Sequence, residues 1–189
     1  IVDLKSAMKQ SCDTYFYEVA RILGVDRLKI TADKFGLGKK VLGEYFENEK
    51  AGQFPDTKWK INKLGKGWVL GESLITGIGQ GYTQTTPIQL CLMTAQIANG
   101  GYKIQPKILT DDNQLTSEQV KKAMQDSKSN DFYEPLYDDQ KNIRIVQEAM
   151  FSSTNELMGT SYRSRIDDPK YQFAGKTGTA QVKRISKRE

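Results

Sequence analysis

The chain has 189 residues, 38% hydrophobic and 27% charged, a globular composition that can fill one core and is neither disordered nor lipid-embedded. The absence of histidine, the commonest metal ligand, and the wide separation of Cys12 and Cys91 argue against a zinc or iron site and a disulfide framework, and no metal or other cofactor is expected. The net charge of +5 comes from scattered lysines with no accompanying aromatic-basic motif, so nucleic acid is not an expected partner.

No apolar run approaches the roughly 20 residues of a membrane helix. The start at Ile1, without a charged-then-apolar leader, points to a piece of a longer protein. In chain order, Leu4, Met8, Tyr15, Val19 and Ile22 recur at helical spacing and are interrupted at Ser11-Cys12-Asp13. Two helices meeting at a polar joint follow, the second capped by Ser11 or Asp13 and ending at Gly24, and a third runs from Asp26 to Phe35 before Gly36. Residues 38–72 carry six glycines among them, at 38, 43, 52, 65, 67 and 71, and Pro55, which predicts a long, mostly irregular excursion. Gly77-Ile78-Gly79-Gln80-Gly81 reads as a turn feeding an apolar helix over 87–98, with Pro87 in its first turn and Asn99-Gly100-Gly101 at its end. The glycines match neither the Lys-Ser/Thr of a phosphate loop nor a dinucleotide turn. Apolar on every side, the helix reads as a core wall. A short strand over Tyr102–Leu109, a polar, mobile insertion over 110–140 with one amphipathic helix, a helix near Asp139–Phe151 and a Gly159-Thr160 turn come next. Residues 173–182 are expected to form a strand whose small residues admit a ligand to its backbone.

The sharpest chemical signal is Lys176-Thr177-Gly178-Thr179, set within Ala-Gly-Lys-Thr-Gly-Thr-Ala-Gln. An ammonium and two hydroxyls on one strand, with a glycine keeping the backbone open, can grip a substrate carboxylate. A bare Lys-Thr-Gly also fits a lysine-capped turn, and Ser-x-Asp commonly caps a helix.

Taken together, Ser11-Cys12-Asp13-Thr14-Tyr15-Phe16-Tyr17, Gly79-Gln80-Gly81-Tyr82 through Thr86-Pro87, and the Lys176 string resemble the penicillin-binding-protein family in the family's order. Asp13 where division-type relatives carry asparagine, the Phe54-Pro55 to Trp59-Lys60 region and the Gly-Ile-Gly-Gln-Gly-Tyr string resemble its class B, elongation-type members. The match covers residues 1–109 and 143–183.

The resemblance implies an α+β transpeptidase fold shared with serine β-lactamases, here incomplete: a helical lobe plus part of an antiparallel sheet. Residues 1–189 would form a partial domain with a family-variable insertion around 110–142. It implies a D,D-transpeptidase that cross-links peptidoglycan stem peptides through a serine acyl-enzyme and is trapped by β-lactams. Ser11 would relay protons, Asp13 would orient the network and Lys176 would supply positive charge. Thr177, Gly178 and Thr179 would bind the substrate carboxylate, with the Thr179 N–H in an oxyanion hole. The family's Ser-x-x-Lys nucleophile motif opens a helix several tens of residues before Ser-x-Asp. Ser6-Ala7-Met8-Lys9 has those letters only five residues before Ser11, about 7.5 Å along one helix, and reads as a chance match. The nucleophile is therefore expected outside this chain. Tyr15, Phe16 and Tyr17 read as core, one of them bordering the groove, and Cys12 as a small apolar filler. Stem peptides, β-lactams and a membrane glycan polymerase of the elongation machinery are the implied partners, and the periplasmic face of the bacterial inner membrane the implied location. A β-lactam-sensing or scaffolding relative would keep the same pocket. A serine β-lactamase is disfavoured by the 38–72 excursion.

Overall fold

The computed structural model describes residues 2–43, 46–106 and 134–180, and these are mostly helical. Helix α1 (Leu4–Lys9) is capped by Asp3, whose carboxylate accepts the Ser6 N–H at 2.7 Å. It ends in a Schellman turn: the N–H groups of Ser11 and Cys12 donate to the carbonyls of Met8 and Ala7 at 3.3 and 2.9 Å. Ser11 occupies the left-handed position of that turn, with φ of 51°, where glycine is usual. Helix α2 (Asp13–Leu23) follows at once, with Cys12 as its N-cap residue and no side-chain cap. Neither Ser11 nor Asp13 caps it as expected, because the Ser11 side chain turns instead toward Lys176. Asp13 still places a negative charge in the first turn, where the helix dipole favours it. Gly24 ends α2, and α3 (Val25–Lys34) ends before Gly36, close to the expected bounds.

The 38–72 region is less irregular than its glycines imply. Helix α4 (Thr57–Leu64) is capped by Asp56 and stopped by Gly65 in the left-handed conformation, and α5 (Leu70–Gly77) starts at Glu72's reach to the Val69 N–H. The apolar stripe of α4 is hidden in the sequence because the buried position is a lysine. Lys60, 4% exposed, donates to both oxygens of Glu72 at 2.5 and 2.6 Å, beside the Trp68 ring and with the Tyr82 hydroxyl donating to Glu72 at 3.4 Å. Helix α6 (Pro87–Ala98) begins with a Thr86–Gln89 capping box. Its innermost side chains are Gln89, Leu92 and Gln96, while Leu90 is 44% exposed, so it is a wall with a polar seam rather than an all-round apolar one. The fully buried Gln89 donates to the carbonyls of Lys39 and Ala51, which fastens the irregular stretch before α4.

Helix α7 (Lys141–Asn155) runs four residues beyond Phe151, through Ser152, Ser153 and Thr154. The Ser152 and Thr154 hydroxyls donate to carbonyls one turn back, so polar residues that suggest a helix end are accommodated inside it. Helix α1 packs on α7 and α2 on α5. The latter contact is close: a Cβ on Gly77 would lie 2.5 Å from the Ala20 Cβ.

Among the described residues there is no β-sheet, only isolated bridges of Gln53 with Gln84 and Tyr102 with Pro135. The expected strand over Tyr102–Leu109 reduces to the second bridge as far as residue 106, and 107–109 lie outside the described residues. The expected strand over 173–182 carries no ladder from 173 to 180, where no described strand lies beside it to exchange backbone hydrogen bonds, and 181–182 lie outside the described residues. Of the insertion expected to be mobile over 110–140, residues 134–140 are anchored: Leu136 is buried, its N–H donates to the Gly101 carbonyl at 2.8 Å and its carbonyl accepts from Lys34. The remainder to residue 133 lies outside the described residues.

Candidate active site

Ser11 and Lys176, 165 residues apart, meet: the Lys176 ammonium donates to Ser11 Oγ at 2.5 Å. It also reaches the Thr177 carbonyl at 3.1 Å, and Ser11 Oγ lies 2.9 Å from Thr177 Oγ1. Two local devices bring this about. The left-handed backbone at Ser11 breaks the chain between α1 and α2 and turns its hydroxyl outward. On the other side, α7 holds the approach to Lys176, since Asn155 Nδ2 donates to the Phe173 carbonyl at 2.8 Å and the Gly175 N–H donates to the Met150 carbonyl at 3.1 Å.

Ser11, Lys176 and Thr177 line an open cleft of about 860 Å³ together with Asp13, Gln80, Gly178 and Thr179. Gly178 has open space where a Cβ would stand. Met8, Phe16, Ile78 and Met93 make the apolar part of the lining. Phe16, of the three aromatics at 15–17, is thus the one on the cleft.

Partial burial pushes the Lys176 ammonium below the usual lysine range, and the negative charge of Asp13 pulls it partly back. Asp13 acts on the lysine through charge, and no hydrogen bond joins its carboxylate to Ser11 or Lys176.

Ser6 and Lys9 do not line this cleft. Lys9 pairs with Glu156 at 2.8 Å. Two residues read from the sequence only as parts of a turn or of the family-like string, and not as site residues, belong to the arrangement. Thr160 donates its N–H to the Lys9 carbonyl at 3.1 Å and sets its hydroxyl 3.3 Å from Thr177 Oγ1, tying the end of α1 to the lysine segment. Gln80 donates to the Thr179 carbonyl at 3.0 Å. The glycines on either side of Gln80, at φ of 77° and 79°, were the available signal, but they read as a turn. Among the described residues no cluster of three or more acidic, cysteine or histidine side chains is placed to hold a metal ion, and no helix is long and apolar enough to cross a membrane.

The profile of the penicillin binding protein transpeptidase domain matches residues 1–189. The chain belongs to the penicillin-binding-protein transpeptidase family. It is 36% identical over 186 residues to the peptidoglycan D,D-transpeptidase MrdA of Acinetobacter baumannii, covering 98% of this chain and 26% of that protein. Among solved structures, Pseudomonas aeruginosa PBP2 in complex with WCK 5153 superposes with a TM-score of 0.77 at 37% identity, covering 96% of this chain and 39% of that one. Penicillin-binding protein 2 of Helicobacter pylori, in complex with MreC, gives 0.74 at 31% identity, covering 95% and 31%. The chain thus spans about a quarter of the length of the curated relative, and its similarity to PBP2 and MrdA proteins runs over nearly all of its own length.

Proposed function

We propose that this chain forms two walls of the catalytic cleft of a D,D-transpeptidase of the cell-elongation type. The observation that carries this reading is the Lys176–Ser11 contact, two motif residues far apart in sequence brought to 2.5 Å at the edge of an open cleft. In the reaction, a serine oxygen attacks the carbonyl between the last two D-alanines of a stem peptide. The serine ester forms as the C–N bond breaks and the terminal D-alanine leaves with the serine's proton on its nitrogen; an acceptor amine then attacks the ester carbon, a new amide bond forms, the serine C–O bond breaks and the amine's proton returns to the serine oxygen.

Ser11 suits the proton transfer because a hydroxyl accepts and donates at once, and Lys176 holds that hydroxyl while facing the substrate carboxylate with its charge. Thr177 and Thr179 supply carboxylate-binding hydroxyls, the bare Gly178 leaves room for the substrate backbone, and the Thr179 N–H serves the developing oxyanion. Asp13 keeps Lys176 more protonated than burial alone would allow. We place the attacking serine in a part of the parent protein other than residues 1–189, because neither Ser6 nor Lys9 lines the cleft and Lys9 is paired with Glu156. The family resemblance supports stem peptides and β-lactams as ligands, a membrane glycan polymerase as partner and a periplasmic setting. The H. pylori relative's complex with MreC supports an MreC-like partner as well.

The test is covalent labelling by a fluorescent penicillin. The parent protein should label at a serine outside residues 1–189, the 189-residue chain should not, and Lys176→Ala in the parent should slow labelling by about 10²–10⁴-fold. Labelling of this chain at Ser6 or Ser11, or full-rate labelling of the Lys176→Ala parent, would overturn the assignment. Stable labelling with no transfer to an acceptor amine would mark a sensor instead of a synthase.

A further inference from the structure

The segment bearing Lys176, Thr177 and Thr179 is exposed, apart from half-buried Gly175, and has no neighbouring strand among the described residues. Its geometry is therefore set by individual tethers. Phe173 and Gly175 are held from α7, and the Thr177 carbonyl is held by Lys176 Nζ at 3.1 Å. Beyond Gly178, the tether that reaches the segment from the helical wall is Gln80, through its 3.0 Å bond to the Thr179 carbonyl.

Because each peptide unit is planar, holding a carbonyl fixes the whole unit to which it belongs. Lys176 fixes the Thr177–Gly178 unit and Gln80 fixes the Thr179–Ala180 unit. The Gly178–Thr179 unit, which carries the Thr179 N–H, lies between them. It needs that support, since Gly178 is conformationally permissive and meets no neighbour within 4 Å of its Cβ direction.

Gln80 is itself firmly placed. Its N–H donates to the Ile75 carbonyl at 2.9 Å, the Gly79 N–H donates to Thr76 at 2.9 Å, and both sit at the end of α5, which rests on α2 through Gly77 and Ala20. Helix α2 begins directly after the Ser11 joint. The distance from Ser11 to the Thr179 peptide is thus spanned by one rigid path.

We propose that Gln80 is a positioning residue for the reaction: it clamps the Thr179 carbonyl and so aims the Thr179 N–H into the cleft. This inference rests on the transpeptidase reading. Gln80 lines the same cleft but makes no hydrogen bond to Ser11 or Lys176, and it acts through the backbone.

The experiment measures acylation of the full parent protein by a chromogenic β-lactam, resolved into binding and bond-forming constants. Gln80→Ala should lower the bond-forming rate constant about five- to tenfold, the value of one hydrogen bond, with initial binding and the unfolding midpoint little changed. Gln80→Glu keeps the shape but at neutral pH turns an acceptor-only carboxylate toward the carbonyl, so its deficit there should be at least that of the alanine variant. As pH falls toward about 4.3, the glutamic acid gains an O–H that can donate to the carbonyl, and its deficit relative to the unchanged protein should shrink while that of Gln80→Ala does not. Ser11→Ala runs in parallel. If Ser11→Ala has no effect, the transpeptidase reading fails. If Ser11→Ala is slow but Gln80→Ala acylates at an unchanged or raised rate, the clamp is refuted.

Discussion

Replacing Ser11 by alanine and by glycine separates what its side chain does from what its backbone costs. Both variants lose Oγ, and with it the contacts to Lys176 and Thr177, so both should lose acylation by about 10²–10⁴-fold in the parent protein. They differ in the conformation demanded by the turn. At φ of 51° a side chain costs roughly 1–2 kcal/mol that glycine avoids, while glycine's greater freedom in the unfolded chain returns roughly 0.5–1 kcal/mol. Ser11→Gly should therefore be the more stable of the two by about 0.5–1 kcal/mol, or roughly 1–4 °C in midpoint for a domain of this size. Differential scanning calorimetry of the two variants under identical conditions measures it. An alanine variant as stable as the glycine variant would refute the claim that the joint is strained, and equal activity of either with the unchanged protein would refute the role of the hydroxyl.

Gly77→Ala should destabilise by about 1–3 kcal/mol through the 2.5 Å approach to Ala20, whereas Gly71→Ala, in the same helix with nothing within 4 Å, should be neutral or stabilising; adding Ala20→Gly should recover part of the first loss in urea titrations. Burial pushes the Glu72 carboxyl up, but Lys60, the Val69 N–H and Tyr82 outweigh it and hold it below the usual carboxylate range. Its stabilisation is therefore complete above the unfolded-state value of about 4.3 and is lost as pH falls through the lower folded-state value, so acid unfolding curves should be steeper for the unchanged protein than for Glu72→Gln. At neutral pH that variant should cost about 3–5 kcal/mol, because Lys60 stays buried without its counter-charge. Asp13→Asn removes the charge that raises the Lys176 ammonium, so the high-pH limb of the parent's acylation profile should move to lower pH, and an unmoved limb would show that Asp13 does not act on Lys176.

The motif residues were legible because their chemistry is local in sequence even though their meeting is not. Ser11-Cys12-Asp13 breaks a helical pattern, and Lys176 to Thr179 sits in a distinctive string. Helix bounds marked by Gly24, Gly36, Pro87 and Asn99 were legible for a similar reason, since backbone freedom and missing donors act on near neighbours. Helix α4 was not, because Lys60 stands where an apolar residue would reveal the periodicity, and only Glu72, twelve positions on, makes that burial tolerable. Gln80 and Thr160 were invisible as site residues because each works through a carbonyl far away in sequence, those of Thr179 and Lys9, and a backbone acceptor leaves no residue-type signature.

The buried amide of Gln89 has a consequence for how this region can vary. By gripping Lys39 and Ala51 at once, it works as a clasp at the neck of a loop whose ends are already joined. Beyond that clasp the buried Glu49 carboxylate accepts the Val41 and Leu42 N–H groups at 2.8 and 3.0 Å, a second closure that shields the clasp from changes in loop length farther out. Lengthening the short spans on the near side would instead push on α3 and α4, and through α5 would displace the floor on which Gln80 stands.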